Sequence, residues 1–211
     1  MEPRRVALDT ALLKALAHPL RIRILGALRI AGPSTATRLA ERLGESSGLT
    51  SYHLRALAAA GLVVDDPDRG TGRDRWWRAA HDVSGFQPSD FEDTDAADAA
   101  RWLQSYGDRA REDEAATWSA QAHTWSRAWR DVADRSDWYL LTTADELRGV
   151  LSAVHDLMRA AMATTVARRD GDAPVPADAE HVRVHMLAFP VREVAGVRVD
   201  RPGADGDDDD S

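Results

Sequence analysis

The side chains that could carry reaction chemistry are few in this sequence of 211 residues, which contains seven histidines and no cysteine. The lack of cysteine excludes disulfides, thiolate metal sites and cysteine nucleophiles. No phosphate-binding glycine loop, serine elbow or metal-hydrolase spacing occurs, so we expect neither an enzyme nor a bound cofactor. His181 and His185 would share one face of a strand and could bind a metal ion with carboxylates. Because scattered histidines more often have structural roles, we expect no metal site.

A second set of residues is suited to hydrogen bonding rather than to catalysis. In residues 46–55 the side chains off the apolar spacing are short or hydrogen-bonding. Short groups allow a helix to enter the major groove of DNA, and arginine can bond a phosphate or a guanine edge. Backbone N–H groups at the start of such a helix can bind a phosphate. An ordinary solvated helix face is the alternative. The candidate DNA contacts here are Ser46, Ser47, Gly48, Thr50, Ser51, Tyr52 and Arg55, although Thr50 also has the spacing of the core-facing residues Leu54 and Leu57.

A glycine-rich turn at residues 67–73, PDRGTGR, presents further candidates. Arg69 and Arg73 flank Thr71 and two glycines, which permit close backbone approach to a ligand. We expect this turn to contact phosphates or the minor groove, with a solvated hairpin tip as the alternative. Arg38, on an earlier predicted helix, could contact the DNA backbone or be ordinary surface. His53 is expected to be a packed residue rather than a base reader.

Three tryptophans have the spacing of one helix face. Trp118, Trp125 and Trp129 fall at i, i+7 and i+11. Large aromatic side chains dominate cores and interfaces, so a core or dimer seam is the first interpretation. The alternative is an aromatic pocket for an apolar or cationic small molecule.

Apolar spacing and capping residues predict the elements that must position the first two sets of candidates. Asp9 begins the first helix, and Gly32, Gly44 and Gly61 follow the next three. Two short strands flank the glycine-rich turn. Helices followed by such a two-stranded wing form a winged helix-turn-helix. The predicted helices are 9–17, 20–31, 34–43 and 46–60, and the predicted strands are 62–64 and 75–78.

The second half of the sequence is mostly helical by its pattern. Residues 96–134 could form one long element, with Gly107 able to bend it. Thr142 or Thr143 can form a capping box with Glu146 for a helix that ends near residue 169. The predicted fold class is mainly α with small β (α+β): an N-terminal winged helix-turn-helix, then a helical C-terminal region with two short strands. Those two strands are predicted at 138–141 and 181–189.

Two stretches carry a family resemblance: ALAHPLRIRIL at residues 15–25 and SYHLRALAAAGLV at residues 51–63. Together they closely resemble the ArsR-like family of bacterial repressors, over about residues 9–80. The resemblance implies a dimer that presents its fourth helix to the major groove and its wing to the flanking minor groove. It also implies repression by occlusion of a promoter. The thiolate metal sites of that family are impossible here.

Charge divides the chain into two parts. Residues 1–82 carry 13 Lys and Arg against 9 Asp and Glu, whereas residues 83–211 carry 14 against 26. The acidic part is expected to lie away from DNA. We interpret 1–82 as a winged helix-turn-helix DNA-binding domain and 83–95 as an acidic linker. Residues 96–200 are interpreted as a helical dimerisation and effector region, and 201–211 as a disordered acidic tail.

These observations predict a dimeric, sequence-specific regulator of transcription that binds double-stranded DNA and acts as a repressor. Dimerisation is expected because a single short helix reads too few bases for useful affinity. Tuning by an unidentified small molecule through the C-terminal region is a further option. The alternative function is a winged-helix module that binds proteins without binding DNA. Apolar runs are too short for a membrane span and no signal peptide is expected, so we expect a cytoplasmic protein with no membrane partner.

Overall fold

A computed structural model of the chain describes residues 2–67, 69, 75–194 and 196–199. The chain forms two compact units, Met1–Ala179 and Glu180–Ser211. The described α-helices are α1 (Thr10–Leu16), α2 (Pro19–Ala31), α3 (Ala36–Leu43), α4 (Ser47–Ala59), α5 (Ala97–Gln121), α6 (Arg127–Val132) and α7 (Ala144–Asp170). The described strands are β1 (Arg5–Ala7), β2 (Ser34–Thr35), β3 (Val63–Asp65), β4 (Trp76–Ala79), β5 (Val83–Gly85), β6 (Glu193–Val194) and β7 (Val197–Arg198). The predicted α+β fold class is confirmed.

The first four helices begin where the sequence places capping side chains. Asp9 accepts a hydrogen bond from the Leu12 N–H at 2.9 Å, and Thr35 accepts one from the Arg38 N–H at 3.3 Å. At α2 the cap is a histidine, because the Leu20 N–H donates to His18 Nδ1 at 3.1 Å. These helices enclose a core of fully buried side chains. Its largest members are Leu13, Ile24, Leu28, Leu39, Leu54, Leu57, Leu62 and Val63.

β3 and β4 follow α4 and form, with β2, a three-stranded antiparallel sheet in the order β2-β4-β3. The hairpin of β3 and β4 is the predicted wing, with Val63 paired to Ala79 and Asp65 paired to Trp77. Trp77 and Ala79 are buried in the core, which fixes the root of the hairpin. The short strand β2, before α3, was expected only as a helix cap.

Residues 83–95, expected to be an acidic linker, instead pack on the core. β5 pairs in parallel with β1, with Val83 opposite Arg5. A 3-10 helix at Pro88–Phe91 follows, and Phe91 is only 6% exposed. The Phe86 and Phe91 rings lie 6.2 Å apart. Burial of these aromatic rings stabilises the segment, although it also contains four acidic residues, Asp90, Glu92, Asp93 and Asp95.

The helical pattern over residues 96–134 corresponds to two helices rather than one. α5 ends at Gln121 and passes through Gly107 without a break, and a 3-10 turn leads to extended backbone at Trp125. Ser126 then caps α6, because its Oγ accepts from the Trp129 N–H at 3.3 Å. The next predicted helix is confirmed as α7, with the Thr143 and Glu146 capping box present.

Neither of the two strands predicted in the second half forms. Residues 138–141 have no regular structure, and Trp138 is 81% exposed. Residues 181–189, in the second unit, are also irregular and exposed. An alternating pattern needs a partner strand to satisfy its backbone groups, and no described segment pairs with either stretch. The strands of the second unit are β6 and β7, joined through Gly196 at φ 81°.

No helix in the described ranges is long and apolar enough to cross a membrane. The predicted acidic tail, 201–211, lies outside the described residues.

Candidate nucleic-acid interface

The inner face of α4 is sealed against the core. Thr50, Leu54 and Leu57 are completely buried, at three- and four-residue spacing, and His53 is 3% exposed. The Thr50 hydroxyl donates to the Ser46 carbonyl at 3.0 Å. Thr50 was predicted to contact DNA, and the structure corrects this: the side chain points into the core and its hydroxyl is already bonded. The other residues predicted on this helix are not buried.

The outer face of α4 is open to solvent. Ser47, Gly48 and Arg55 are exposed, and Tyr52 is 56% exposed. Leu49, which the sequence reading did not select, is 42% exposed on the same helix. The helix thus presents short, hydroxyl and guanidinium groups outward, while its apolar residues fix its position. Such a surface can enter a groove and donate hydrogen bonds.

The start of α4 leaves backbone donors free. The Leu49 N–H donates to Ser46 Oγ at 3.2 Å, and the Thr50 N–H donates to the Ser46 carbonyl at 3.0 Å. Ser46 is therefore the cap. For the N–H groups of Ser47 and Gly48 there is no acceptor among the described residues. Together with the positive end of the helix dipole, these two groups can bind an anion.

His53 holds α4 against the first two helices. Its ring lies 4.3 Å from the His18 ring, and Arg21 Nε donates to its Nδ1 at 3.4 Å. Arg21 also donates to the Ala15 carbonyl at 2.8 Å. Burial lowers the pKa of His53, and the neighbouring His18 and Arg21 lower it further. His53 is a packed residue, as expected, and is neutral at physiological pH.

The root of the wing combines arginines with tryptophans. The Arg38 guanidinium lies 4.8 Å from the centre of the Trp76 ring, and the Arg75 guanidinium lies 4.2 Å from that of Trp77. Arg75 also pairs with Asp65 at 2.8 Å. Arg38 is exposed beside the hairpin, as the predicted contact with the DNA backbone requires. Neither Trp76 nor Arg75 was selected from the sequence, although alternating cationic and aromatic residues were a usable signal.

Of the residues predicted at the wing tip, only Arg69 is described, because Thr71 and Arg73 lie outside the described residues. The side chain of Arg69 is 50% exposed, and its Nε lies 3.7 Å from an Asp66 carboxylate oxygen. At that separation, and with that exposure, the pair is weak. Arg69 can therefore turn toward another anion at little cost.

Behind the wing lies a buried carboxylate that the sequence analysis missed. The side chain of Asp82 is 1% exposed. It accepts from the Arg4 backbone N–H at 2.9 Å, from Arg4 Nε at 3.2 Å and from Arg169 Nη1 at 2.8 Å. These bonds outweigh the effect of burial and lower the pKa of Asp82 to about 2. The partners lie 78 and 87 positions away, so no local pattern could show them.

The predicted tryptophan face is only partly assembled. The Trp118 and Trp125 rings lie 6.1 Å apart and tilted by 40°. Trp118 lies in α5, Trp125 lies between α5 and α6, and Trp129 belongs to α6. The three therefore do not form one face of a single helix. Their role in a dimer or an effector site stays a prediction.

Among the described residues there is no group of three or more histidines and carboxylates that could hold a metal ion.

Residues 16–65 match the model of a family described as a helix-turn-helix domain. The match includes α2, α3 and α4 and ends with β3, and the β3–β4 hairpin completes a wing. The fold and the open helix therefore define a winged helix-turn-helix protein.

Parts of this chain also match solved structures. HlyU from Vibrio cholerae is 30% identical over 33% of this chain and 68% of its own. A second structure is the homodimeric winged helix-turn-helix DNA-binding domain of Mb0332 from Mycobacterium bovis, a possible ArsR-family transcriptional regulator. It is 27% identical over 45% of this chain and 73% of its own. An ArsR-like transcriptional regulator from Rhodococcus sp. RHA1 is 27% identical over 52% of this chain and 89% of its own.

The TM-scores of these three structures are 0.29, 0.30 and 0.29. No curated protein matches this chain. The chain belongs to the ArsR-like winged helix-turn-helix family, a family of DNA-binding transcription regulators.

Proposed function

We propose that this chain is a homodimeric, sequence-specific repressor that reads double-stranded DNA with the outer face of α4. The observation that carries the proposal is the contrast between the two faces of that helix. Leu54 and Leu57 are completely buried, whereas Tyr52 is 56% exposed and Arg55 is also exposed. A rigidly held helix with small and hydrogen-bonding outward groups suits entry into the major groove.

The proposed contacts divide into three groups. Ser46, Ser47 and Gly48 would bind a phosphate through the start of α4. Ser51, Tyr52 and Arg55 would face base edges or the backbone, and Arg38 would contact the backbone beside the wing. At the wing itself, Arg69, Thr71 and Arg73 would contact phosphates or the minor groove.

Dimerisation is part of the proposal because one copy of α4 reads too few base pairs. A two-fold dimer places two copies about one helical turn apart, roughly 34 Å, in successive major grooves. Mb0332, whose winged helix-turn-helix domain is homodimeric, supports this assembly. Trp118, Trp125 and Trp129 remain candidates for the dimer seam or for a small-molecule site. Residues 1–82 would form the DNA-binding part of the chain. A regulator of this kind would act in the cytoplasm.

Selection of bound sites from a pool of random duplexes tests the proposal most directly. The full chain should enrich sites with two-fold symmetry and half-sites spaced about one helical turn apart. On the selected duplex, Arg55→Gln should weaken binding by roughly tenfold to a hundredfold, the range expected for one arginine–base contact.

Arg101→Gln is the matched control, because Arg101 is 70% exposed on α5 and its one ion pair among the described residues is with nearby Asp98. It should bind the duplex as the unmodified chain does. If no site is enriched and retardation of genomic fragments is absent, the protein-binding alternative is favoured. A weak dependence of binding on salt would point the same way, because phosphate contacts make DNA affinity strongly salt-dependent.

A further inference from the structure

A cavity of about 330 Å³ lies between the root of the wing and the end of α7, within the first unit. Four arginines line it, with two carboxylates, and we name it the arginine cavity. Its charged lining residues are Arg4, Arg69, Arg78, Arg169, Asp66 and Asp170. Backbone at Gly32 and Ala79 and the apolar side chains of Leu28 and Pro33 complete the wall. The volume is at the lower end of the range for small-molecule sites.

The arginines of the cavity differ in how far their charge is already compensated. Arg169 bonds to Asp82 at 2.8 Å and to Asp170 at 2.9 Å, and Arg4 bonds to Asp82. Arg69 has only the distant pair with Asp66 described above. The side chain of Arg78, half-buried in β4, has no hydrogen bond or ion pair to any residue that the structure describes, although its backbone pairs with Val64 of β3. Arg78 and Arg69 are thus the two guanidinium groups of the cavity whose charge is least compensated.

A fifth arginine, Arg29, contacts the cavity lining through its backbone carbonyl, which accepts from Arg169 Nη1 at 3.5 Å. Arg29 donates to the His81 carbonyl at 2.9 Å and to Ser84 Oγ at 3.1 Å, but its Nη2 is buried and has no partner among the described residues. Burial lowers the pKa of Arg29 to about 10, which still leaves the group charged at neutral pH. A desolvated cation of this kind is weakly screened, so it strengthens the attraction for an anion nearby.

We propose that the arginine cavity binds a small dianion of the phosphate-ester or dicarboxylate class, with Arg78 and Arg69 as its main ligands. Paired arginine forks suit phosphate and carboxylate oxygens. Asp66 and Asp170 would accept hydrogen bonds from hydroxyl or amide groups of the same ligand. The same two carboxylates would repel the repeating phosphates of a duplex, which favours a small anion over the DNA backbone as occupant.

The position of the cavity couples the ligand to the wing. Asp66, Arg69 and Arg78 belong to the hairpin, whereas Arg169 and Asp170 end α7. A dianion there would tie the hairpin to α7 and cancel positive charge at the wing root. This step rests on the proposed function: duplex affinity should fall about fivefold or more when the cavity is filled.

The test measures anion binding without DNA. Inorganic phosphate and succinate are titrated into the full chain by calorimetry at constant ionic strength, with succinamide as the uncharged analogue. At least one of the two anions should bind saturably, and succinamide should not bind. Arg78→Gln should weaken that binding at least tenfold, with Arg69→Gln as a second variant at an exposed position. Arg101→Gln, outside the cavity, should bind as the unmodified chain does.

Several results would overturn the inference. One is the absence of saturable binding by either anion, and another is unchanged binding in both Arg78→Gln and Arg69→Gln. If Arg78→Gln lowers duplex affinity while neither anion binds, the cavity belongs to the DNA surface instead. Because the anion titration contains no DNA, saturable binding supports the site even if the chain binds no duplex. Conversely, a failed anion titration leaves the DNA-binding proposal intact.

Discussion

Replacement of Asp82 by asparagine tests how the first unit is held together. The Asp82→Asn variant keeps the shape of the side chain but removes the charge that Arg4 and Arg169 share. Asp82 is 1% exposed and the Arg169 side chain is 12% exposed, so water cannot replace the lost partner. The new amide would also place a donor against an arginine N–H group.

The size of the effect follows from burial. Removal of one partner from a buried ion pair costs about 3–5 kcal/mol, because the other charge stays uncompensated. The Arg4 side chain is 39% exposed and regains water, so its share is reduced. We therefore expect Asp82→Asn to lower the free energy of unfolding by about 2–4 kcal/mol at pH 7.

The pKa of Asp82 gives an independent check with a defined sign. In the folded chain it is lowered from 3.8 to about 2. A carboxyl with a lowered pKa stabilises the fold above its unfolded-state pKa, and that contribution disappears as pH falls through the folded-state value. The ionised Asp82 carboxyl contributes about 2 kcal/mol to the free energy of unfolding at neutral pH, and about half of this contribution remains at pH 3. The difference in stability between the two proteins should therefore narrow as pH falls from about 4 toward 2.

Urea unfolding followed by circular dichroism at pH 7, 4 and 3 measures these differences. Asp98→Asn is the control, because the Asp98 side chain is 95% exposed in its pair with Arg101. It should change the free energy of unfolding by less than about 1 kcal/mol at any of these pH values. A loss below about 1 kcal/mol for Asp82→Asn at pH 7, or a difference that does not narrow in acid, would refute the assigned role.

Two further predictions concern α4. Ser46→Ala removes the cap that accepts from the Leu49 N–H and should lower the free energy of unfolding in urea by about 1 kcal/mol. Ser47→Ala, the control, should lower it by only a few tenths of a kcal/mol. Equal losses in the two variants would contradict the assignment of Ser46 as the cap. The pKa of His53 is lowered from 6.5, so the unfolded chain takes up its proton first and stability should fall as pH drops below 6.5. His53→Gln should reduce this slope between pH 7 and 5, and an unchanged slope would exclude His53 as its source.

The helices of the winged helix-turn-helix could be predicted because their signals are local. Asp9 and Ser46 cap helices whose first turns lie within three residues of them, and Gly44 ends α3 in the left-handed region at φ 69°. Buried positions such as Leu54 and Leu57 follow from helical spacing alone. The same spacing placed Thr50 on the inner face, so its selection as a DNA contact was the weaker of two interpretations.

The second half was harder to predict because its pattern has more than one structural solution. An alternating strand pattern at residues 138–141 specifies a half-buried face only if a partner strand exists, and a sequence does not show partners. The helical spacing across Trp125 likewise predicted one continuous helix and did not include the Ser126 cap. This cap starts a new helix with a different face. Residues 83–95 looked like a linker by charge, yet the burial of Phe91 decides their structure.

By itself the sequence determined the order of the first four helices, the cap at Asp9, the wing hairpin and most of the hydrogen-bonding face of α4, since each depends on residues within one or two turns of one another. The tertiary structure alone decided which charges meet. Asp82 reaches Arg4 and Arg169 across 78 and 87 positions, and the arginine cavity exists only because the end of α7 lies beside the root of the wing. Contacts over such distances depend on how the whole core packs, and no periodicity or motif encodes them.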